Sequence, residues 1–264
     1  TGTVTGAVTT IDGSNYLSDV ACPSTSQCTA IDENESQVTF NPTTATVTTG
    51  PTTIDAVYNL LRVSCPSTSQ CTAIDGSGSQ VTFNPTTATI TTGPTTIDGS
   101  NQLRGIACPS ASQCTAIDGN GSQVTFDPTS PGTPTPTAID TASALAAVAC
   151  PSASQCTAIA GNGSETTFDP TSPGTPTPTT IASGVTLVAL ACPSASRCTV
   201  VGNNGQEVTF NPTSPGNPTP TTVGNSSYYL DAVACPSSSQ CTAVDQAGEE
   251  VTFNPSTGTV TGAV

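Results

Sequence analysis

The sequence predicts an all-β protein, a six-bladed β-propeller of four-stranded blades. Cysteine pairs recur 42 or 43 residues apart along the 264-residue chain, a period typical of propeller blades. Segments such as QVTF at 37–40 alternate polar and apolar residues, as half-buried strands do. Turn motifs such as GNGS at 119–122 separate these segments, and no segment shows the 3.6-residue periodicity of an amphipathic helix.

Each repeat supplies four strands, which the first repeat illustrates. Strand A is LSDVAC at 17–22, and strand B is CTAID at 28–32. Strand C is QVTF at 37–40, and strand D is TATVTT at 44–49, a run rich in threonine and β-branched residues. Six such meanders suit a closed ring of blades, because closure covers sheet faces that a lone blade would expose. An open β-solenoid is the structural alternative.

The whole chain is predicted to form one domain of six repeats. The repeats comprise about residues 9–51, 52–94, 95–137, 138–179, 180–221 and 222–264, and residues 1–8 form an extra N-terminal strand. One leucine and one phenylalanine recur at fixed places in every repeat, and both are expected to pack between blades. They are Leu17, Leu60, Leu103, Leu145, Leu187 and Leu230, with Phe40, Phe83, Phe126, Phe168, Phe210 and Phe253.

The 12 cysteines form six C-P-S-x-S-x-C units. Zinc sites usually use closer cysteine pairs or histidine, and this chain has no histidine. We therefore expect one disulfide per blade, which clamps the A–B hairpin in an oxidising compartment. Loop-closure entropy gives each clamp about 2 kcal/mol of stabilisation. The pairs are Cys22 with Cys28, Cys65 with Cys71, Cys108 with Cys114, Cys150 with Cys156, Cys192 with Cys198, and Cys235 with Cys241.

These units carry a resemblance to a known family. ACPSTSQCTAID at 21–32, SCPSTSQCTAID at 64–75 and ACPSSSQCTAVD at 234–245 resemble the CPSxSxC repeats of secreted bacterial β-propeller proteins. The likeness covers almost the whole chain. It implies a propeller and an extracellular setting, either secreted or at the cell surface. It carries no catalytic residue over to this chain.

The composition excludes several classes of function. Eighteen acidic residues face three arginines, and the net charge is −15. The chain therefore lacks the cations that nucleic acids or anionic membrane surfaces require, and no stretch approaches the roughly 20 apolar residues of a membrane span. Without histidine or lysine, few groups serve acid–base catalysis, so we expect no enzymatic activity and no cofactor. A glycosidase built on a carboxylate pair stays open, because distances in space are invisible in the sequence.

The turns between strands B and C resemble part of a calcium loop. They read DENES at 32–36, DGSGS at 75–79, DGNGS at 118–122 and DQAGE at 245–249. The full spacing of a calcium loop is missing, and aspartate beside glycine or asparagine is also ordinary turn chemistry. We favour plain turns, with weak calcium binding as the alternative. The candidate ligands are Asp32, Asp75, Asp118 and Asp245.

Tyrosine, arginine and aspartate occur in or just before strand A in only some of the repeats. Strand A should line the channel, and a channel mouth with these side chains is what a glycan or peptide site would look like. Packed tyrosines over two inter-blade ion pairs are the plainer interpretation, which we favour. The residues are Tyr16, Asp19, Tyr58, Arg62, Arg104, Tyr228, Tyr229 and Asp231.

The outer D strands fall into two sets. Blades 1, 2 and 6 have threonine-rich segments such as TTATVTTG, whereas blades 3, 4 and 5 have TSPGTPTPT or TSPGNPTPT. Proline removes a hydrogen-bond donor and blunts an exposed edge. Half of the predicted ring is therefore protected against strand addition. The threonine rows leave ice binding as a minor alternative.

Identical segments, TGTVTGAV, occupy residues 1–8 and 257–264. Both match the outer position of blade 6, which holds one strand, so one copy lacks a partner within the chain. We expect the spare strand to pair with another subunit, so that a structural protein assembles into a filament or surface layer. One alternative is a longer tandem array of propellers, and another function is a glycan- or peptide-binding module. The residues assigned to assembly are Thr1, Val4, Val8, Thr257, Val260 and Val264.

Overall fold

Six four-stranded antiparallel sheets make up the protein, which confirms the predicted six-bladed all-β propeller. This computed structural model describes residues 9–263. In every sheet the strands lie side by side in chain order, from strand A to strand D. No helix of the described residues is long and apolar enough to cross a membrane.

The first three blades use the following strands. Blade 1 contains β1 (Leu17–Ser24), β2 (Gln27–Asp32), β3 (Ser36–Asn41) and β4 (Thr46–Thr53). Blade 2 contains β5 (Leu60–Ser67), β6 (Gln70–Asp75), β7 (Ser79–Asn84) and β8 (Thr89–Thr96). Blade 3 contains β9 (Leu103–Ser110), β10 (Gln113–Asp118), β11 (Ser122–Phe126) and β12 (Thr137–Ala138).

The last three blades repeat the arrangement. Blade 4 contains β13 (Leu145–Ser152), β14 (Gln155–Ala160), β15 (Ser164–Phe168) and β16 (Thr179–Thr180). Blade 5 contains β17 (Leu187–Ser194), β18 (Arg197–Gly202), β19 (Gln206–Phe210) and β20 (Thr221–Thr222), with a 3₁₀ turn at Asn203–Gly205. Blade 6 contains β21 (Leu230–Ser237), β22 (Gln240–Asp245), β23 (Glu250–Asn254) and β24 (Thr259–Ala263).

The described residues divide into two compact units. Residues 9–119 and 123–137 form the first unit, which holds blades 1 and 2 and most of blade 3. Residues 120–122 and 138–263 form the second unit, which holds blades 4, 5 and 6.

Strand alternation gives each blade two different faces. In blade 2, Cys71 lies opposite Phe83 and Ile74 lies opposite Gln80 in the B–C register. Because successive side chains point to opposite faces of a sheet, cysteine and phenylalanine share one face, and isoleucine and glutamine share the other. The same register recurs in all six blades.

The apolar core lies between neighbouring blades inside each unit. In the first unit, Ile31 of blade 1 packs with Leu60 and Phe83 of blade 2, and in the second unit Val201 of blade 5 packs with Leu230 and Phe253 of blade 6. Each such side chain contributes about 1.5–3 kcal/mol when it is fully buried. The prediction for the recurring leucines and phenylalanines therefore holds at these interfaces. It is wrong for Leu17 of blade 1, which is exposed.

Polar contacts also join neighbouring blades. The Nε2 atom of Gln27 donates to the carbonyl oxygen of Thr68 at 2.8 Å, and Gln155 makes the same contact to Ala195 at 2.7 Å. Within each blade, a buried threonine pair links strands B and C, as Thr29 and Thr39 do at 2.9 Å. These bonds satisfy polar groups that burial would otherwise leave costly.

All six predicted disulfides are present, and the chain has no free cysteine. Each joins strand A to strand B of one blade, with Cα atoms 4.0–4.1 Å apart. The second cysteine of every pair is buried, and in blades 2, 3, 5 and 6 it belongs to the inter-blade core, as Cys71 and Cys241 do. The disulfides therefore tie the inner hairpin to the apolar interface.

Replacing Cys108 and Cys114 with serine should lower the free energy of unfolding by about 2 kcal/mol, because the short loop regains conformational entropy when unfolded. Urea denaturation followed by circular dichroism measures the change. A thiol titration of the denatured, unreduced wild-type protein supplies the control and should detect no free thiol. Several free thiols in that titration would contradict the clamp.

Candidate functional site

The aspartates of the B–C turns are occupied by local hydrogen bonds. The Oδ1 atom of Asp75 accepts from the backbone N–H groups of Ser77 and Ser79 at 2.8 and 2.9 Å. Asp32 and Asp245 accept pairs of backbone N–H groups in the same way, and Asp118 is buried at the same position. This is ordinary aspartate turn chemistry. No group of three or more His, Cys, Asp or Glu among the described residues fits a metal ion, and weak calcium binding stays a prediction.

A second, buried aspartate lies beside the turn aspartate in blades 1 to 3, and sequence reasoning missed it. Asn15 Nδ2 bridges one pair, donating to Asp12 Oδ1 at 3.4 Å and to Asp32 Oδ2 at 3.0 Å. Burial, with a smaller contribution from the neighbouring Asp118 carboxylate, raises the pKa of Asp98 to about 6, although a hydrogen bond from Asn101 opposes the rise. The available signal was the motif TTID at 9–12, 52–55 and 95–98, directly before strand A.

Two glutamates in the second unit are buried where the first three blades have glutamine. Glu165 and Glu207 take the place that Gln80 has in blade 2, and each accepts a hydrogen bond from a threonine two residues later. Burial raises the pKa of both carboxyls to about 7. For Glu207, the positive charge of Arg197 partly offsets that rise. These two carboxyls therefore titrate closer to neutral pH than the carboxyl of Asp98 does.

Asp19 acts as a connector between blades 1 and 2. Its Oδ1 atom accepts from the backbone N–H of Val20 and its Oδ2 atom from that of Val63, both at 2.9 Å. Burial raises the pKa of Asp19, while the charge of Arg62 lowers it. Both oxygens thus have partners inside the fold, and ligand binding by Asp19 stays a prediction.

The remaining predicted binding residues of the first unit are exposed. The side chain of Tyr16 is 78% exposed and that of Tyr58 is 51%, and Val57 beside it is 63% exposed. Arg62 is exposed and donates through Nη1 to the carbonyl oxygen of Leu61 at 2.7 Å. Arg104 lies over the turn of blade 3, where a Cβ atom on Gly119 would come within 2.7 Å of its Nε atom. The first unit therefore presents tyrosine and arginine side chains to solvent.

The second unit presents fewer of the predicted binding residues to solvent. Tyr228 and Tyr229 are about two-fifths exposed, and the exposed Asp231 accepts a hydrogen bond from Gln246 Nε2 at 3.2 Å. The structure thus gives each unit its own exposed tyrosines, and ligand binding at these residues stays a prediction.

The C-terminal copy of the repeated segment fills the outer position of blade 6. In that blade β24 pairs with β23, with Val260 opposite Phe253 and Thr259 opposite Asn254. Thr257 lies in the turn that joins the two strands, where its N–H donates to the carbonyl oxygen of Asn254. The other assigned assembly residues, Thr1, Val4, Val8 and Val264, lie outside the described residues.

The outer strands differ between blades as the prolines predict. Strands β4 and β8 have eight residues each and β24 has five, whereas β12, β16 and β20 have two. One detail differs from expectation, because β4 and β8 continue past Gly50 and Gly93 through a proline. The edge without proline therefore comprises Thr46 to Gly50 in blade 1 and Thr89 to Gly93 in blade 2.

No protein-family model and no curated protein sequence matches the chain. The fold is similar to a solved structure of U3-55K, at 10% identity, with 92% of this chain and 79% of that chain covered and a TM-score of 0.79. The WD40 repeats of RRP9 are similar at 11% identity, with 92% of this chain and 78% of that chain covered and a TM-score of 0.78. YCF48 bound to D1 peptide is similar at 10% identity, with 91% of this chain and 77% of that chain covered and a TM-score of 0.69. Identities this low show a shared propeller fold alone.

Replacing Glu165 with glutamine should stabilise the protein above pH 7 and change its stability little below pH 4.5. The pKa of this carboxyl is raised from 4.5 to about 7 by burial, so wild-type stability falls as the pH rises through that window. Glutamine stays neutral, and the expected gain is on the order of 2 kcal/mol. Urea denaturation from pH 4 to 9 measures it.

The matched control is the reverse change, Gln80→Glu in blade 2, at the equivalent buried position. It should introduce the same loss of stability with rising pH. Equal pH profiles for wild type and both variants would contradict the assignment of a buried titrating carboxyl to this position.

Proposed function

We propose that this protein is a non-enzymatic extracellular structural protein that self-assembles through β-strand pairing between subunits, into a filament or surface layer. The contact surfaces are the outer strands β4, β8 and β24. The observation that carries the proposal is the contrast between these long outer strands and the two-residue outer strands of blades 3, 4 and 5.

The three long outer strands have the chemistry of a pairing edge. Each is the last strand of its sheet, and none of the three contains a charged residue. Val47, Ile90 and Val260 on these strands are exposed. Proteins that remain monomeric usually protect such an edge with charge, proline or a covering segment. The stretches of these strands without charge or proline, such as Thr46 to Gly50 and Thr89 to Gly93, therefore favour addition of a strand from another molecule.

Apolar side chains of the first and last blades add support. Leu17 and Val20 of blade 1 are 46% and 52% exposed, whereas the equivalent Leu60 and Val63 of blade 2 are 0% and 6% exposed. Val244 of blade 6 is 44% exposed. Exposed apolar side chains at positions that are buried in other blades are typical of a surface that binds a partner.

The repeated segment supplies a strand for such a contact. Residues 1–8 have the same sequence as residues 257–264, part of which forms β24. A strand of this sequence from a second subunit fits the register of β23, or adds to the edge of β24. Either contact is head-to-tail, and a head-to-tail contact that does not close propagates into a filament.

The disulfides and the shortage of catalytic groups support the rest of the proposal. Six disulfides need an oxidising environment, such as the outside of a cell. No histidine or lysine is present in the chain, and the solved neighbours include WD40 repeats. The partner is another copy of the chain, and no nucleic acid or membrane insertion is involved.

Deleting residues 1–8 should leave a folded monomer and abolish polymers, and so should the double variant Val47→Lys with Ile90→Lys. Each lysine places a charge on an edge that pairing would desolvate. Negative-stain electron microscopy and sedimentation at two salt concentrations measure polymer formation. Higher salt should favour wild-type polymers, because it screens the repulsion of a −15 net charge.

The matched control carries the same charge on outer segments that already contain proline, as Thr133→Lys with Thr175→Lys. Both threonines are exposed, and this control should assemble like the wild type. Absence of wild-type polymers, or full assembly after the deletion and the strand substitutions, would overturn the proposal.

A second candidate function is binding of a glycan or a peptide at the exposed tyrosines and arginines. The exposure of Tyr16, Val57 and Tyr58 in the first unit favours it, since aromatic side chains are common in binding sites. One of the proteins with a similar fold, YCF48, binds a D1 peptide in its solved structure. The N–H donors of Arg62 and Arg104 would set the orientation of a ligand.

The double variant Tyr58→Ala with Arg62→Ala should reduce binding on a glycan or peptide array at least tenfold if this surface binds ligands, because both an aromatic contact and a charged donor are lost. The control is Tyr228→Ala in the second unit. Undiminished binding by the double variant would dismiss the first-unit surface.

A further inference from the structure

Blade 6 contains a cavity of about 270 Å³ in the second unit. It lies where the loop before strand A meets the end of strand B and the start of strand C. Its lining combines apolar side chains with carboxylates. The lining residues are Val223, Gly224, Asn225, Leu230, Asp245, Glu249, Glu250 and Val251.

Two residues that fill this place in other blades are smaller in blade 6. The motif before strand A reads TTID at 52–55 and 95–98, whereas blade 6 has TTVG at 221–224. In blade 2 the buried side chains of Ile54 and Asp55 occupy the site. Valine in place of isoleucine and glycine in place of aspartate remove those atoms. The cavity is therefore a local consequence of the sequence of blade 6.

The same comparison shows that acid has been added around the space. Blade 2 has Ser79 and Gln80 at the start of strand C, and blade 6 has Glu249 and Glu250 there. Together with Asp245, these residues give the cavity three carboxyl groups. The Oε1 atom of Glu250 is buried and has no hydrogen-bond partner among the described residues. The residues that line the cavity include no arginine.

We propose that this cavity binds a primary ammonium group carried on a short apolar stem. The buried Oε1 atom of Glu250 accepts an N–H donor of the ammonium group, Asp245 and Glu249 add negative charge beside it, and Val223, Leu230 and Val251 cover the stem. The volume is below the roughly 300–1,000 Å³ of drug-sized ligand sites, which suits a small amine or a single side chain. A metal ion is a poorer match, since no group of three acids in the described residues fits one.

Two sources can supply this chemistry, a free alkylamine or the lysine side chain of another protein. A second copy of this chain is not a source, because the chain contains no lysine. The site is also independent of the proposed assembly through outer strands, so either proposal can fail alone.

The test is a titration of the full chain with butylammonium chloride, N-acetyl-lysine methylamide and n-butanol, followed by NMR of residues 223–225 and 249–251. Butylammonium should bind with a dissociation constant on the order of 1 mM at low salt, and n-butanol at least tenfold more weakly. If N-acetyl-lysine methylamide binds as tightly as butylammonium, the ligand is the lysine side chain of another protein. If it binds more weakly than butylammonium, the ligand is a free amine.

The double variant Glu249→Gln with Glu250→Gln should weaken butylammonium binding at least tenfold. The matched control, Glu33→Gln with Glu35→Gln, removes the same charge from the equivalent turn of blade 1 and should bind like the wild type. Val223→Ile, which restores the residue of blade 2, should block binding without any change of charge. Equal binding by wild type and the Glu249/Glu250 variant, or no binding by the wild type, would overturn the proposal.

Discussion

The packing of one blade face against the next is the interaction on which the rest of the structure depends. The B–C register places cysteine, alanine, valine and phenylalanine on one face and isoleucine on the other, and the two kinds of face meet between blades. A single four-stranded sheet has too little apolar surface to be stable alone. The chain has six phenylalanines and no tryptophan, so each interface is small. The disulfides strengthen the inner hairpin, where the side chains are mainly small.

The buried polar groups recur at the same positions in each blade, but the free-energy cost of burying them differs between blades. Paired threonines bond across strands B and C in blades 1 to 3, and the strand C threonine donates to the Oε1 atom of a glutamine, although the Nε2 atoms of Gln37 and Gln80 are buried without a partner among the described residues. Glutamate at this position in blades 4 and 5 brings a carboxyl whose pKa is raised to about 7 by burial. Paired aspartates beside the turns have a similar effect, since two buried carboxylates repel each other. The protein therefore tolerates acid inside the fold although the chain is already strongly acidic.

The outer strands differ in how far another chain can pair with them, although few residues of the protein are charged. Proline restricts the outer strand to two residues in blades 3 to 5, while threonine and valine leave longer strands in the other blades. A strand edge offers unpaired N–H and C=O groups, so its length and charge decide whether another chain can add to it. This asymmetry links the fold to the proposed assembly, because the contact surface is set by backbone groups rather than by a specific side chain.

The sequence by itself determined the number of blades, the strand order and the disulfide pairs, since the cysteine period and the alternation of QVTF are local patterns. It also predicted which outer strands are short, because proline acts on its own backbone. Only the tertiary structure revealed the aspartate pairs, such as Asp98 with Asp118, and the use of Asp19 as a connector to Val63. The cavity beside Gly224 was likewise invisible. The motifs TTID and TTVG mark these places in the sequence, but the contacts form only when the loop before strand A folds onto the turn after strand B or, for Asp19, when blade 1 packs on blade 2.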